Sequence, residues 1–363
     1  MRIKYVTYLL SCISLMGFII FGAQASGDER LRVGVILPLT GGLAEYGSAI
    51  RNGIEMARSE NPEVLDKLDF TYEDDQYDGK LTIKSYQKLV GLDRVNLLLT
   101  FGSIAGHALT PLVEQQKLVM INFGFEEDFA AGRPYVFRSM NHSEQYVQKL
   151  LDYLRREGVK RFEILNTELS FLNSMVAALK ANLNKDEAVD VVATFNPAES
   201  DFRGAILKLK SKGIKKVGLF LLPNQVQAFV KQLHEMNAPV SLYGTDLFET
   251  AARLLPTGSL DGAVYPYNHV TESFKKRYLE RYGSDVHLTF AGNAYDMATV
   301  VSKGFHRADA SSVDKLGREL ESVKDYPGAL GSLSFRTSQA GAKYFEYPVV
   351  VKAIKGAEGL VVQ

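Results

Sequence analysis

Side chains that could perform catalysis are present in this sequence, but they are not spaced as catalysis requires. The histidines show no i, i+4 pair that would place two metal ligands on one helix face. Ser103 lies between Gly102 and Ile104, so it is not the centre of a G-x-S-x-G nucleophile elbow. The glycines form neither a Walker phosphate loop nor a G-x-G-x-x-G fingerprint after a strand. The sequence therefore indicates a protein that is not an enzyme and needs no cofactor.

Metal binding has little support either. Two acidic clusters, Asp74-Asp75 and Glu126-Glu127-Asp128, could bind a cation or act as acid and base, although acidic side chains usually lie in solvated loops. The single cysteine, Cys12, cannot form a disulfide or a thiolate metal site within one chain. We therefore expect no metal.

Composition excludes several classes of partner. The chain has 363 residues with 42 basic and 42 acidic side chains, whereas a nucleic-acid reader would carry a basic excess. A hydrophobic content of 46% and a charged content of 23% are those of a globular protein. The length exceeds what one small core usually holds and predicts two lobes.

The N-terminal segment has the layout of a secretory signal peptide. Arg2 and Lys4 precede a long uncharged apolar run that ends at Ala23-Gln24-Ala25, an A-x-A cleavage site. Cleavage after Ala25 would leave 40 basic and 42 acidic side chains and no cysteine. The same run is long enough to remain as a membrane anchor, and in both interpretations the body of the protein is exported.

Short apolar runs alternate with amphipathic segments throughout the exported body. The predicted strands are 32–37, 68–73, 95–101, 119–122, 161–165, 189–195, 217–222 and 241–244, and stripes at helical spacing lie between them. Strands separated by helices predict parallel sheets in an α/β fold. Ligands of such sheets bind at the carboxyl ends of strands. The loops expected to carry a ligand site are therefore 38–47, 101–106, 122–126, 166–171, 222–225 and 244–248.

Several segments of this chain resemble segments of one protein family, and they occur in the same order as in that family. The most specific is RVGVILPLTGGLAEYGSAIRNGIEMA, which begins at Arg32. The other segments are Asp74-Asp75, VEQQKLVMI, PYVFRS at 134–139, Asp201-Phe202, YGTD at 243–246, DGAVYPY at 261–267 and AYDMATVV at 294–301. On these segments the chain resembles the type I periplasmic solute-binding proteins of the leucine/isoleucine/valine-binding family, over nearly all of residues 32–359.

The resemblance implies two doubly wound parallel-sheet lobes joined by a three-strand hinge, with a ligand between them. Carried over to this chain, lobe one comprises residues 30–139 plus 268–328, and lobe two comprises 140–267 plus 329–363, after a signal peptide at 1–25. The crossings are expected near 138–141, 264–268 and 328–335. Pro266 and Gly331 lie near two of them, as suits hinges.

The family binds an amino acid by its carboxylate on lobe one and by its ammonium on acidic groups. By resemblance, Ser103 is the serine that receives the carboxylate, where a helix N-terminus favours an anion. Tyr46 is the aromatic that closes over the ligand, and Asp246 is the lobe-two carboxylate that pairs with the ammonium. Phe171 and Tyr295 match aromatic positions at the cleft. Each has a purely structural alternative: a helix cap for Ser103, a turn residue for Asp246 and packing for the aromatics.

The chain departs from the family at the candidate site. The loop Asn122-Phe123-Gly124-Phe125-Glu126 stands where amino-acid-binding members carry small residues and a threonine. Leu172 replaces a glycine, and Leu222-Pro223 replaces an aromatic pair. These changes make the cleft more apolar on lobe two and leave Gly124 and Glu126 as candidate ligand contacts. Glu126 could pair with a ligand cation, which would allow an amine, an amide or an aromatic amino acid.

The resemblance predicts a periplasmic, monomeric receptor that captures an amino acid or a similar small polar ligand and delivers it to the membrane permease of an ABC importer. An alternative role on the same fold is a sensory or accessory protein that acts on a signalling or envelope partner, because fold does not fix function.

Overall fold

The structure is a computed structural model that describes residues 30–308, 313–356 and 358–362. Residues 1–25, where the sequence predicts a signal peptide, lie outside the described residues. The strands are β1 (Leu31–Leu37), β2 (Leu68–Asp74), β3 (Leu97–Phe101), β4 (Val119–Phe123), β5 (Val136–Arg138), β6 (Arg161–Thr167), β7 (Ala188–Phe195), β8 (Lys216–Phe220), β9 (Ser241–Gly244), β10 (Val264–Asn268), β11 (Tyr326–Gly328), β12 (Gly331–Thr337), β13 (Lys343–Glu346), β14 (Val349–Lys355) and β15 (Glu358–Val362).

Helices separate most of the strands. They are α1 (Ala44–Glu60), α2 (Pro62–Leu65), α3 (Gly79–Gly91), α4 (Gly102–Gln116), α5 (Ser143–Arg156), α6 (Ser170–Ala181), α7 (Arg203–Ser211), α8 (Pro223–Glu235), α9 (Leu247–Leu254), α10 (Glu272–Tyr282), α11 (Leu288–Arg307) and α12 (Val313–Glu321). None of the helices in the described part of the chain combines the length and the hydropathy that a bilayer span requires. The α/β fold class expected from the sequence is confirmed.

The strands form two sheets with the same internal order. The first sheet runs β11-β12-β13-β5-β4-β3-β1-β2, and the second runs β15-β14-β10-β9-β8-β6-β7. Within each lobe, five strands are parallel in the order 2-1-3-4-5. In the first sheet β13 continues parallel to β5, and the antiparallel strands β12 and β11 follow it. In the second sheet the antiparallel strands β14 and β15 extend the edge beside β10. Central strands such as β3 (LLLTF) and β4 (VMINF) are wholly buried, which is why they are continuous apolar runs.

Each sheet has its own core. In lobe one, α1 and α11 pack on one face of the first sheet, around Val35, Ile50 and Met297. In lobe two, α7 and α8 cover one face of the second sheet, while α5 and α6 cover the other. Phe125 packs against the core of lobe one and against the α5 and α6 side of lobe two, so it lies where the lobes meet.

Three segments cross between the lobes, and the side chain of Asn141 joins them. The crossings are the segments after β5, after β10 and between β13 and β14. The Asn141 amide donates to the Tyr347 carbonyl over 2.9 Å and to Asn268 Oδ1 over 3.3 Å, and its oxygen accepts from the Tyr347 N–H over 2.7 Å. Asn141, Asn268 and Tyr347 are all buried. One amide group on the first crossing therefore bonds to a side chain on the second and to the backbone of the third.

The third crossing differs from the sequence expectation. Residues 331–346, which we grouped with lobe two, form β12 and β13 of the first sheet, where β13 pairs with β5. The chain passes to the second sheet only at Tyr347-Pro348. The aromatic rings of Phe335 and Phe345 pack on Phe137, and this contact holds the hairpin on lobe one. Gly331, with φ +94°, makes the turn between β11 and β12 instead of a hinge.

Candidate functional site

Loops at the carboxyl ends of the parallel strands of both sheets face one another. In a 2-1-3-4-5 order, connections leave the first and third strands on opposite sides, and the crevice at this switch point is where ligands of such sheets bind. In lobe one, the switch point lies between the loop that leads to Tyr46 and the start of α4 at Gly102. In lobe two, it lies between the loops that follow β6 and β8. The next loop along, between β9 and α9, carries Asp246.

Asp246 projects into a small cavity between the lobes. The cavity volume is about 10 Å³, close to what a single water needs. Its lining otherwise consists of the aromatic or apolar residues Phe125, Tyr146, Phe171, Met175 and Pro266 and of Ser143, whose hydroxyl is hydrogen-bonded to that of Ser174. Burial raises the pKa of Asp246 to about 7, and the charge of Glu249 contributes in the same direction. No lysine, arginine or histidine of the described chain forms an ion pair with this carboxylate.

Aromatic side chains continue from this cavity into lobe one. Phe125 contacts Tyr146 edge-on at 5.7 Å between ring centroids and Phe290 at 6.1 Å. Phe290 in turn contacts Phe101 at 5.7 Å and Tyr46 at 5.1 Å. The Phe125 ring therefore fills most of the space beside Asp246, and a ligand larger than water can reach this carboxylate only if the ring or the lobes move.

Tyr46 lies close to both lobes. Gly47 allows this position, because a Cβ there would lie 2.1 Å from the Pro38 carbonyl oxygen. The Tyr46 ring stacks on His287 with centroids 3.5 Å apart. Burial raises the pKa of Tyr46, and the nearby charge of Asp246 raises it further. Tyr46 on α1 and Asp246 on the opposite lobe are therefore electrostatic neighbours.

Ser103 is engaged by a side chain of the protein itself. Its hydroxyl donates to Glu126 Oε1 over 2.7 Å, and the other oxygen of Glu126 lies 3.3 Å from His107 Nε2. Glu126 is only 4% exposed, so its carboxylate lies inside the protein beside the first turn of α4. Gly124 permits the loop to turn there, because a Cβ would lie 2.4 Å from Asn122 Oδ1. In this structure Ser103, which was expected to bind the carboxylate of a ligand, binds the carboxylate of Glu126 instead.

The same cluster includes the one group of described residues whose atoms could surround a metal ion. His107 Nε2, a Glu126 oxygen and an Asp128 oxygen lie within 4.8 Å of one another. His107 and Asp128 are exposed, and the Ser103 and His107 hydrogen bonds already engage Glu126. The arrangement matches an ordinary hydrogen-bonded surface cluster as well as it matches a metal site.

The structure brings most of the candidate residues together, but Tyr295 lies elsewhere. Phe171 and Asp246 line the interlobe cavity, and Tyr46 lies near Asp246. Gly124 precedes Phe125 of the lining, and Ser103 and Glu126 lie at the start of α4. The Tyr295 hydroxyl instead bonds to Asn61 and Glu60 at the far end of α1. Fourteen residues of helix separate Tyr46 from Glu60, or about 21 Å along the axis.

Some residues at this site escaped the sequence analysis. Tyr146 and Met175 belong to apolar stripes of α5 and α6, and nothing in a stripe distinguishes a cleft residue from a core residue. His287 precedes α11 in a left-handed conformation, with φ +54°, which sequence does not reveal for histidine. Arg253 of α9 donates to Asp285 of lobe one over 2.7 Å, a pairing between residues far apart in sequence.

Comparisons with known proteins agree with this architecture. A family model described as "Periplasmic binding protein" matches residues 30–350. A Leu/Ile/Val-binding protein homolog from Brucella melitensis is 26% identical over 353 residues, which cover 90% of this chain and 92% of the relative. The leucine-binding protein LivK from Thermotoga maritima superposes with a TM-score of 0.80 at 17% identity, covering 92% of this chain and 98% of LivK.

A second solved structure carries a different ligand. A solute-binding protein of an ABC transporter from Rhodopseudomonas palustris, in complex with 3,4-dihydroxybenzoic acid, superposes with a TM-score of 0.77. It is 19% identical, and the match covers 90% of this chain and 93% of that protein. The same fold thus serves ligands of more than one class.

Proposed function

The chain belongs to the periplasmic binding protein family, and from this premise we propose that it is the solute receptor of an ABC-type importer that binds one small ligand between its lobes. It acts outside the cytoplasmic membrane and hands the ligand to a membrane permease. The ligand-binding residues of the proposal are Tyr46, Gly124, Phe125, Phe171 and Asp246. Neither Ser103 nor Tyr295 is included among direct contacts, because other side chains engage both hydroxyl groups.

Asp246 carries the proposal. An ionised carboxylate in an apolar cavity is unfavourable unless a cation or hydrogen-bond donors compensate it. The cavity lining offers the carboxylate no cationic side chain. The Asp246 side chain makes no capping hydrogen bond to α9, and the nearby backbone N–H groups of residues 246 and 247 only partly offset the effect of burial on its pKa. A ligand with a positively charged nitrogen would supply the missing partner.

Binding on this account requires the lobes to open and close. A cavity of about 10 Å³ cannot hold an amino acid, so a ligand enters when the lobes separate or when Phe125 moves. Ligand contacts with both lobes then favour the closed form, and the permease can distinguish loaded from empty receptor by shape. The three crossings around Asn141 are the segments about which such a motion takes place.

Similar proteins bind amino acids or aromatic acids, and these two classes of ligand do not fit this cleft equally well. The aromatic lining of the cleft would suit the ring of an aromatic acid. A carboxylate, however, would lie near Asp246 and Glu126, and like charges in a poorly solvated space repel strongly. An ammonium-bearing ligand is therefore favoured over a simple aromatic acid.

A sensory or accessory role would use the same binding site. The two roles differ in which partner protein recognises the closed form, and only the transport role requires a permease. Deleting the gene and measuring uptake of the identified ligand distinguishes them: lost uptake supports transport, whereas unchanged uptake with an altered response supports sensing.

The direct test is a ligand screen by differential scanning fluorimetry. The panel contains amines, amino acids, amides, aromatic carboxylates and small sugars, each applied to the exported body of the protein. We expect at least one nitrogen-containing compound to raise the melting temperature in a concentration-dependent way, as binding to the native state must. If no compound of the whole panel raises it, the receptor proposal is wrong.

A further inference from the structure

The first turn of α4 already holds a carboxylate. Helix α4 spans fifteen residues and begins at Gly102, and Phe101 provides no side-chain cap. Such a helix start attracts anions through its free N–H groups and dipole. Glu126 fulfils this role, because its Oε1 accepts the Ser103 hydroxyl over 2.7 Å and its side chain is buried. A second anion at the same place would have to displace Glu126 or lie beside its charge.

The opposite side of the cleft is also acidic. Asp246 lies in the cavity that Phe125, Tyr146 and Phe171 line, and this lining contains no lysine or arginine. Two arginines lie behind the cleft, but protein groups engage both. Arg138 donates to the Phe125 carbonyl over 2.7 Å, and Arg253 donates to Asp285.

The aromatic rings favour the same kind of ligand as the carboxylates. The negative faces of tyrosine and phenylalanine rings attract ammonium groups, and the attraction strengthens where water is excluded. The stacked imidazole of His287 does not oppose this, since burial and the charge of Arg253 lower its pKa to about 4. Around the cleft, acidic and aromatic groups thus face the ligand from both lobes, while an acceptor for an anion is already occupied.

We infer that the ligand is an organic cation, an amine or quaternary ammonium on an apolar or aromatic body, and that it lacks a free carboxylate. This inference rests on the proposed receptor function and narrows it. The ammonium pairs with Asp246, and the apolar body takes the space that Phe125 fills in this structure. Glu126 rejects α-amino acids because its own carboxylate already occupies the first turn of α4, where a helix N-terminus would otherwise attract an anion.

Matched ligand pairs test the inference because their members differ only in the carboxylate. The pairs are leucine with 3-methylbutylamine and phenylalanine with 2-phenylethylamine, and 4-hydroxybenzoate serves as an anion without an amine. Isothermal titration calorimetry on the wild-type protein should show the better amine binding about tenfold or more tightly than its amino-acid partner, as expected when one of two like charges is removed.

The outcomes separate the inference from the receptor function. If an amino acid or the benzoate binds as tightly as the amines, the inference is wrong and the receptor function stands. If the amines fail and no compound of the broad panel binds, both are wrong.

A variant of Glu126 gives the second test. Glu126→Ala vacates the first turn of α4, so binding of the amino-acid member should improve relative to its amine by about tenfold. Glu126→Gln removes the charge while keeping a hydrogen-bond acceptor for Ser103, and it should shift the ratio in the same direction if the alanine variant fails to fold. Asp128→Asn, a neutralised carboxylate two residues away, is the matched control. A ratio that both Glu126 variants leave at the wild-type value would overturn the inference.

Discussion

At the scale of single residues, Asp246 and Glu126 differ in whether other side chains of the protein bind their carboxylates. Glu126 has hydrogen-bonding partners within lobe one, whereas Asp246 faces apolar and aromatic side chains of both lobes. A carboxylate whose partners are already present is a structural feature of the free protein. A carboxylate that burial keeps near neutrality is poised for a partner from outside, and perturbed acids in clefts commonly mark functional sites.

Neutralising Asp246 should weaken ligand binding more than any other single change in the cleft. Asp246→Asn keeps the size of the side chain and removes its charge, which should cost binding of 2-phenylethylamine about 2 to 5 kcal/mol by calorimetry, the range for truncating one partner of a buried charge pair. Glu157→Gln, an exposed carboxylate at the C-terminal end of α5, is the control for general charge effects. Equal affinities of wild type and Asp246→Asn would contradict the placement of this residue.

The raised pKa of Asp246 also predicts how stability depends on pH. Since the pKa of Asp246 is about 7 in the fold and about 4 in the unfolded chain, the folded state holds a proton that the unfolded state releases in this range. Without ligand, the contribution of Asp246 to the free energy of unfolding should therefore fall as pH rises from about 4 to about 7. Asp296, whose pKa burial also raises to about 7, contributes with the same sign.

Urea titrations at about pH 5 and about pH 8 check this dependence. The fall in unfolding free energy from about pH 5 to about pH 8 should be smaller in Asp246→Asn than in wild type, because Asp246 then no longer contributes to it. The same difference in both proteins would show that Asp246 ionises normally in the fold.

The sequence was enough to predict which loops form the site, but not which side chains contact one another there. Tyr46 and Asp246 could be selected because they follow strands of a parallel sheet and match a family pattern. The bond between Ser103 and Glu126 could not, because it joins two loops whose relative depth depends on packing. Tyr295 matched the pattern by its place in α11, yet the sequence does not reveal which end of α1 its hydroxyl meets.

At the scale of elements, the crossings decide how the lobes can move. Strands β1–β4 and β6–β9 were predictable, since apolar runs specify them, whereas the alternation of apolar runs predicted no strand at β5 or at β10–β15. The third crossing was not predictable either, because β12 and β13 join lobe one through the packing of Phe335 and Phe345 on Phe137. A glycine such as Gly331 indicates a change of direction, but sequence alone does not say whether that change is a hairpin turn or a hinge.

Asn141 should be the most sensitive position of the hinge. Asn141→Ala leaves the buried Tyr347 backbone groups and Asn268 without their partner, which should lower the free energy of unfolding by about 1 to 3 kcal/mol in urea titration. Asn182→Ala is a matched control, because Asn182 bonds to Ala178 and Glu144 within lobe two. Equal losses in the two variants would mean that Asn141 has no special role in joining the crossings.

At the scale of the whole molecule, contacts between the lobes favour the closed form. Phe125 contributes apolar packing on both sides, and the ion pair between Arg253 and Asp285 joins α9 to lobe one at 2.7 Å. Both partners of this pair are about one-third exposed, so solvent and salt screen their attraction. The closed form is thus held by modest forces, as a receptor that must reopen requires.

Breaking this ion pair should weaken ligand binding slightly. A double-mutant cycle of Arg253→Ala and Asp285→Ala, with the affinity for 2-phenylethylamine as the readout, should give a coupling of at most about 1 kcal/mol that shrinks in high salt. The exposed pair Lys160 and Asp186 lies within lobe two and should give no coupling to binding. Strictly additive effects of the Arg253 and Asp285 variants would show that the pair does not contribute to closure.

Native mass spectrometry of the protein with an equimolar mixture of matched amines, amino acids and aromatic carboxylates tests the central claim most directly. The claim is that a cationic ligand binds between the lobes against Asp246. The account predicts a one-to-one complex with an amine in the wild-type protein and loss of that complex in Asp246→Asn, while Glu157→Gln retains it. A complex with a carboxylate instead, or an amine complex that persists unchanged in Asp246→Asn, would contradict it.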